Sequence, residues 1–199
     1  MLGQYLRKKT KRILLSLGRS VNKTGIPPNA ITLSAIVLSI ISSFFITKQE
    51  NVLALMFVIL TGLCDLLDGA MARAGKKATK FGNYLDAMVD RIAEIIIYLG
   101  FALLGYGVEA FLAISTSMLV TYGKARVAQV VQISNEEWPA VGERIDRFIL
   151  LILSLVVISI YQEEIVYRVS LIIISTVAFI GSVQRMIYAK RLIEKAGFK

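Results

Sequence analysis

The sequence predicts an all-α integral membrane protein with six transmembrane helices preceded by an amphipathic juxtamembrane helix. Of its 199 residues 56% are hydrophobic and only 19% are charged, whereas a soluble domain has about 25% charged residues. The mean hydropathy is +0.66. Apolar runs close to the roughly 20 residues that a membrane helix needs recur along the chain. We therefore expect the bilayer to be the solvent of this protein.

Six apolar runs are the predicted spans. They cover residues 30–46, 52–72, 82–104, 108–131, 145–161 and 165–188. The first run follows Pro27 and Pro28, and Asn29 lies where an N-cap is expected. We see no internal repeat and no linker long enough to divide the chain. Residues 1–199 are therefore predicted to form a single domain, in which the six-helix bundle occupies 30–188.

Residues 1–22 are predicted to form a helix on the membrane surface, because leucines and isoleucines recur there among lysines and arginines. The segment is basic over too great a length, and lacks a compact apolar stretch ending at a small-residue cleavage site, so a removed signal peptide is not expected.

The positive charges predict the orientation, because cytoplasmic loops carry an excess of lysine and arginine. One side holds the N-terminal helix, the basic loop after span two, the loop between spans four and five, and the basic C-terminal segment. The opposite loops hold only Lys48 and Arg168 as basic residues. A multi-pass protein of the cell membrane with both termini in the cytoplasm is therefore predicted. The net charge of +9 then favours anionic lipid heads or an anionic substrate, with no nucleic-acid partner.

Four aspartates are predicted to converge at the cytoplasmic ends of spans two and three. Asp65 and Asp68 are three residues apart near the end of span two, and Asp86 and Asp90 are four apart near the start of span three. Each pair projects from one helix face, and the short connecting loop makes the helices antiparallel neighbours. Acidic residues in membrane helices are expensive, so these are candidates for function.

Such a cluster predicts a site for hard divalent cations. Four carboxylates in a partly dry site repel one another by several kcal/mol unless a cation neutralises them or some are protonated. The chain has no histidine, which removes the usual zinc ligand and the usual general base. Two ions, Mg²⁺ or Mn²⁺, bridged by carboxylates stabilise attacking and leaving oxygens in phosphoryl chemistry. The alternative is that the acids only pair with nearby lysines and arginines.

Other residues near the aspartates suit a diphosphate. Gly69 and Gly82 allow close approach of a ligand to the backbone, and Ala72 keeps the groove shallow. Arg73 offers a forked cation for phosphate, and Thr79 offers a hydroxyl.

The complete pattern resembles the signature of the CDP-alcohol phosphotransferase family. It reads Asp65-x-x-Asp68-Gly69-x-x-Ala72-Arg73, then eight residues, then Gly82-x-x-x-Asp86-x-x-x-Asp90. Eight fixed positions are expected by chance about once in 10¹⁰ starting points, if each residue type has about 5% usage. The resemblance implies a six-helix membrane fold, a homodimer, a site open to the cytoplasm, and transfer of a lipid phosphate from CDP-diacylglycerol or CDP-archaeol to an alcohol.

The resemblance also implies residue roles. Asp65, Asp68 and Asp86 would bind metal, and Asp90 would be both a metal ligand and the catalytic proton acceptor, without a covalent intermediate. The segment after Pro28 is similar to the family's span-one segment that contacts the CDP-lipid. The implied CDP-lipid site comprises Asn29, Ala30, Ile31, Thr32, Asp65, Asp68, Gly69, Ala72, Arg73, Thr79 and Gly82.

A second basic group is the candidate acceptor site. Its members are Lys124, Arg126, Arg144, Arg147 and Arg185. At the cytoplasmic ends of neighbouring helices they would suit an alcohol that carries a phosphate, although ordinary positive-inside charges are the alternative. The segments 122–126, 143–147 and 183–185 resemble those of the family's phosphatidylinositol phosphate and archaetidylinositol phosphate synthases, in which the basic residues are thought to bind inositol 1-phosphate.

We therefore predict inositol 1-phosphate as the acceptor. The nearest alternative keeps the chemistry and changes the acceptor to glycerol 3-phosphate, serine or another alcohol. Serine is less attractive, because so many cations suit a phosphate better than a zwitterion. A more remote alternative is a cation transporter whose acidic residues line an ion path. Transporters commonly show inverted repeats and broken helices near the midplane, whereas these acids cluster at one end of the predicted helices.

Overall fold

The computed structural model describes residues 15–75, 79–131 and 141–195, and every regular element in these ranges is a helix. The all-α prediction is confirmed. The six long helices are α1 Pro28–Thr47, α2 Asn51–Ala74, α3 Lys80–Leu103, α4 Gly107–Val127, α5 Arg144–Tyr161 and α6 Glu164–Lys195. Residues 15–22 are also helical, while 1–14 of the predicted surface helix lie outside the described residues.

Each predicted span coincides with one helix. Three of them, α1, α2 and α6, are long and apolar enough to cross a membrane, whereas the count of six spans stays a prediction. Two ends differ from the sequence expectation by more than two residues. α4 ends at Val127 rather than at 131, and α6 continues to Lys195, seven residues beyond 188.

Asn29 is not the N-cap of α1, so that prediction was wrong. The helix begins at Pro28, and Pro27 is the N-cap in extended conformation. Proline suits the first helical position because its fixed φ is already helical and its missing N–H would have no partner there. Asn29 is consequently inside the first turn.

The helices form two compact units, one ending at Gly105 and the other beginning at Tyr106. In the first unit α1 packs along both α2 and α3, which touch each other only slightly. Small side chains permit this packing. A Cβ added at Gly100 of α3 would lie 2.8 Å from Ser43 Oγ of α1, and Ser42 Oγ donates to the carbonyl oxygen of Ala54 in α2 at 3.0 Å. Such small-residue contacts are typical of helix packing in membranes.

In the second unit α6 packs against α4 and α5. Near the start of α6, Arg168 forms ion pairs with Glu109 of α4 and with Glu164. Tyr106 and Tyr167 stack beside them, with ring centroids 5.0 Å apart. Burial raises the pKa of the Tyr106 phenol above its usual value. These contacts fasten one end of α4 to α6.

Candidate active site

Three aspartates lie together between the end of α2 and the start of α3. One carboxylate oxygen from each of Asp65, Asp68 and Asp86 lies within 4.8 Å of the others. Asp68 is buried, with 4% of its surface exposed, and the other two are half-buried. Among the residues that the structure describes, Asp90 is outside the set that meets this distance. It is half-buried one turn beyond Asp86.

A buried hydroxyl fixes one of these carboxylates. Thr32 Oγ1 of α1 donates to Asp68 Oδ2 at 2.5 Å, and Thr32 is 5% exposed. The same oxygen lies 3.2 Å from the carbonyl of Pro28, but a hydroxyl has one proton and the carboxylate is the closer and stronger acceptor. The sequence placed Thr32 in the segment predicted to contact the CDP-lipid, but did not predict its contact with Asp68.

The starts of α1 and α3 lie side by side. Thr79 is the N-cap of α3, and its Oγ1 accepts from the Gly82 N–H at 2.9 Å. A Cβ added at Gly82 would lie 3.5 Å from Asn29 Oδ1, so the carboxamide is in van der Waals range of this glycine. Ala30 is exposed and Ile31 is half-buried in the same first turn of α1. The segment that was predicted to contact the CDP-lipid thus adjoins Thr79 and Gly82.

The last turns of α2 carry the predicted phosphate-binding residues. The guanidinium of Arg73 lies against Gly69, where an added Cβ would be 3.0 Å from Arg73 Nη1. Ala72 is half-buried and Arg73 is exposed. The absence of a side chain at position 69 therefore leaves room for this cation.

The helical residues 15–22 support the same end of α2. A Cβ added at Gly18 would lie 2.6 Å from the carbonyl carbon of Ala70, and Asn22 Nδ2 donates to the carbonyl oxygen of Met71 at 3.0 Å. Sequence reasoning missed both residues. A glycine on the basic amphipathic segment was the available signal, because only a small residue permits so close an approach of two helices.

The predicted acceptor cations all belong to the second unit. Arg147 is 1% exposed and Arg185 is 6% exposed, and both contact the turn before α5. Arg147 Nη1 donates to the Gly142 carbonyl at 2.7 Å. Lys124 and Arg144 are half-buried, whereas Arg126 is exposed and donates to Gln129 Oε1 at 2.6 Å. The structure thus brings two of the five cations to one turn.

The three-aspartate cluster fits a divalent metal ion. Its donors are carboxylates, which hard cations prefer. Opposite oxygen ligands of Mg²⁺ lie about 4.2 Å apart, close to the 4.8 Å limit within which these oxygens lie. Two carboxylates about 4.8 Å apart repel by about 3.5 kcal/mol at an effective dielectric constant of about 20. A cation between them would remove this repulsion.

The family of the chain follows from its sequence as a whole. Residues 26–186 match the sequence model of the CDP-alcohol phosphatidyltransferases. The chain belongs to this family. This match confirms the prediction of an enzyme and not that of a cation transporter. The protein is a membrane-bound CDP-alcohol phosphotransferase, and its cluster of aspartates is suited to bind metal.

Individual relatives are similar over most of the chain. The archaetidylinositol phosphate synthase of Pyrococcus horikoshii is 28% identical over 193 residues, which are 95% of this chain and 97% of the relative. The phosphatidylinositol phosphate synthase of Mycobacteroides abscessus is 30% identical over 135 residues, which are 63% of this chain and 61% of the relative.

A solved structure shares the fold. The phosphatidylinositol phosphate synthase of Mycobacterium tuberculosis, crystallised with CDP-DAG bound, has a TM-score of 0.78 and 23% identity, and the match covers 89% of this chain and 94% of that one. The same enzyme has been crystallised with manganese and citrate.

Proposed function

We propose that this CDP-alcohol phosphotransferase transfers the phosphatidyl-type phosphate of a CDP-lipid to inositol 1-phosphate and releases CMP. The observation that carries the proposal is the convergence of the Asp65, Asp68 and Asp86 carboxylates within a chain of this family. The CDP-lipid is CDP-diacylglycerol or CDP-archaeol, because the relatives include both a phosphatidylinositol phosphate and an archaetidylinositol phosphate synthase.

Asp65, Asp68 and Asp86 would hold the divalent metal, Mg²⁺ or Mn²⁺, with Asp90 completing a site for two ions. When bound, the metal neutralises the diphosphate and makes CMP a better leaving group. The manganese in the related crystal structure supports this choice of ion. Thr32 holds the Asp68 carboxylate in place by its hydrogen bond, which is how a neighbouring group tunes a metal ligand.

The CDP-lipid would lie against the ends of α1, α2 and α3. Arg73 pairs with a phosphate, and Thr79 donates its hydroxyl proton to the nucleotide portion while its oxygen caps α3. The glycines and Ala72 leave space for the ligand beside the backbone. The first turn of α1 completes the site with Asn29, Ala30, Ile31 and Thr32.

The chemistry is a direct displacement. The acceptor hydroxyl oxygen forms a bond to the lipid-side phosphorus, the bond from that phosphorus to the CMP oxygen breaks, and Asp90 takes the hydroxyl proton. No covalent enzyme intermediate is required.

The acceptor phosphate would bind the basic group of the second unit. Arg147 and Arg185 are buried. Their attraction for an anion is stronger there than in water, because the protein interior screens charges less. Their guanidinium forks match phosphate oxygens. Lys124, Arg126 and Arg144 would add positive charge. The named activities of the relatives support an acceptor of the inositol phosphate kind.

We further propose a single domain, because the family match over residues 26–186 crosses both compact units. The charge distribution supports six spans with the active site and both termini in the cytoplasm. The homodimer stays a proposal that rests on the family resemblance.

An acceptor screen tests the proposed function. Purified protein in mixed micelles would receive a CDP-lipid, Mg²⁺ and one of inositol 1-phosphate, glycerol 3-phosphate, serine or buffer, and CMP release would be measured. We expect release with inositol 1-phosphate, loss of that release with a chelator, and none in Asp90→Asn. If only glycerol 3-phosphate gave CMP above buffer, the assigned acceptor would be wrong.

A further inference from the structure

Glu143 contacts an arginine of the proposed acceptor site from the turn that precedes α5. Its Oε1 accepts from Arg185 Nη2 of α6 at 3.0 Å. We propose that Glu143 is a positioning residue, which aims the Arg185 guanidinium at the acceptor phosphate. The proposal deepens the proposed function and rests on it.

Arg185 needs partners where it lies. Its side chain is 7% exposed, whereas that of Glu143 is 34% exposed. The ion pair therefore joins a buried cation to a carboxylate that is partly exposed at the protein surface. Arg185 Nη1 also donates to the carbonyl oxygen of Val120 in α4. A buried guanidinium is costly unless such contacts compensate for its lost hydration. The contacts from two directions fix the plane of the fork.

The Glu143 side chain is itself held in place. It is the N-cap of α5 and forms a capping box, in which its carboxylate accepts from the backbone N–H of Asp146. The Asp146 Oδ2 accepts from the Glu143 N–H at 3.2 Å in return. A reciprocal pair of this kind restricts both side chains. Glu143 therefore offers Arg185 a fixed acceptor.

The turn that carries Glu143 is fixed on α6. Gly142 has a φ of +76°, which favours glycine. Val141 N–H donates to Gln184 Oε1 of α6 at 3.0 Å, and a Cβ added at Gly181 would overlap the carbonyl oxygen of Val141. The turn before Glu143 is thus held against the stretch of α6 that carries Arg185.

The charges around Arg185 favour a role for Glu143 in orienting this arginine over one in competing with the acceptor phosphate. A guanidinium has five N–H donors in a rigid fork, and the contact with Glu143 involves Nη2 alone. The negative charge of Glu143 offsets that of one cation, while Arg147 and Lys124 keep the group net positive. Glu143 therefore orients a donor without cancelling the attraction for phosphate.

Two matched variants separate positioning from capping. Glu143→Ala and Asp146→Ala each remove one side chain of the same capping box, but only the first removes the contact with Arg185. We expect Glu143→Ala to raise the KM for inositol 1-phosphate about tenfold, the effect of losing one hydrogen bond to a charged group. The kcat and the KM for the CDP-lipid should change less than about twofold. Asp146→Ala should leave both KM values unchanged.

A third variant controls for the junction of α4 and α6. Glu109→Gln removes the Glu109 partner of Arg168 near the start of α6, while Val120 and Arg185 join the same helices near the opposite end. We expect it to lower thermal stability without raising the acceptor KM. If Glu143→Ala does not fold, Glu143→Gln serves instead, because it keeps the size of the side chain and one acceptor oxygen but removes the negative charge, and a KM increase of about threefold is expected.

A double variant tests whether Glu143 acts through the arginine. Adding Glu143→Ala to Arg185→Gln should not raise the acceptor KM above that of Arg185→Gln alone. An unchanged KM in Glu143→Ala, a lower KM, or an equal increase in Asp146→Ala would overturn the proposal. Failure of the proposed function is distinguishable, because the wild-type protein would then give no CMP with inositol 1-phosphate.

Discussion

The hydrogen bond from Thr32 to Asp68 provides a direct test of how the metal site is held. Thr32→Val replaces the hydroxyl by a methyl group of similar size, so the packing between α1 and α2 is largely retained. The carboxylate of Asp68, 4% exposed, loses its donor at 2.5 Å. We expect Asp68 to lose its fixed orientation as a metal ligand.

The expected size of the effect follows from the chemistry of the lost contact. A hydrogen bond to a charged group contributes about 1.5–3 kcal/mol, and a factor of ten corresponds to about 1.4 kcal/mol. Loss of a group that orients a metal ligand typically costs about 10–100-fold in metal affinity or activity. We therefore expect the Mg²⁺ concentration for half-maximal activity to rise about 10–100-fold.

The assay is CMP release at saturating substrates over a series of free Mg²⁺ concentrations. Thr32→Ser keeps the hydroxyl and is the matched control, for which a shift of less than about threefold is expected. If Thr32→Val required no more Mg²⁺ than the wild type, the role of Thr32 in holding a metal ligand would be refuted. An equal shift in both variants would show that lost packing, not the lost donor, is responsible.

Three further substitutions test the surroundings of the cluster. Gly69→Ala places a Cβ 3.0 Å from Arg73 Nη1, and the displaced cation should raise the KM for the CDP-lipid several-fold with a smaller change in the acceptor KM. Thr79→Val removes the N-cap acceptor of α3 and should lower stability by about 1 kcal/mol in thermal unfolding, whereas Thr79→Ser should not. Gly18→Leu cannot keep its close contact with Ala70, so activity should fall more than with Gly107→Leu, at a helical glycine that has no neighbour within 4 Å.

The helices were predictable because apolar runs of membrane length are a strong signal. The ends of the helices were less predictable, because hydropathy depends on side-chain polarity and does not show where the backbone hydrogen bonds of a helix stop. At α4, Val130 and Val131 extend the apolar run, yet the helix ends at Val127. At α6, the run ends but the helix continues, and Lys190 and Glu194 pair four residues apart at 3.9 Å. Charged residues are compatible with a helix that continues beyond the apolar region.

The candidate site was predictable where helical periodicity determines it. Spacings of three and four residues give a shared face, and Asp65, Asp68 and Asp86 do lie together. Periodicity does not give depth, however. Asp90 lies about 6 Å further along the axis of α3 than Asp86, which is consistent with its position outside the three-aspartate set.

Contacts between helices were not predictable from the pattern. Thr32 and Asp68 are 36 residues apart, and Glu143 and Arg185 are 42 apart. Which face of one helix meets which face of another depends on small residues such as Gly100, whose role appears only when the packing is known. The sequence also does not show whether a carboxylate beside a predicted phosphate site, such as Glu143, repels the phosphate or orients a cation that binds it.

The central claim is that Asp65, Asp68 and Asp86 together hold a divalent ion. Equilibrium titration of the purified protein with Mn²⁺, with the free ion measured by electron paramagnetic resonance, tests it without any substrate. The account predicts saturable binding by the wild type and loss of that binding in Asp65→Asn and in Asp86→Asn, while Glu109→Gln binds as the wild type does. Equal binding of Mn²⁺ by the wild type and the aspartate variants would contradict it.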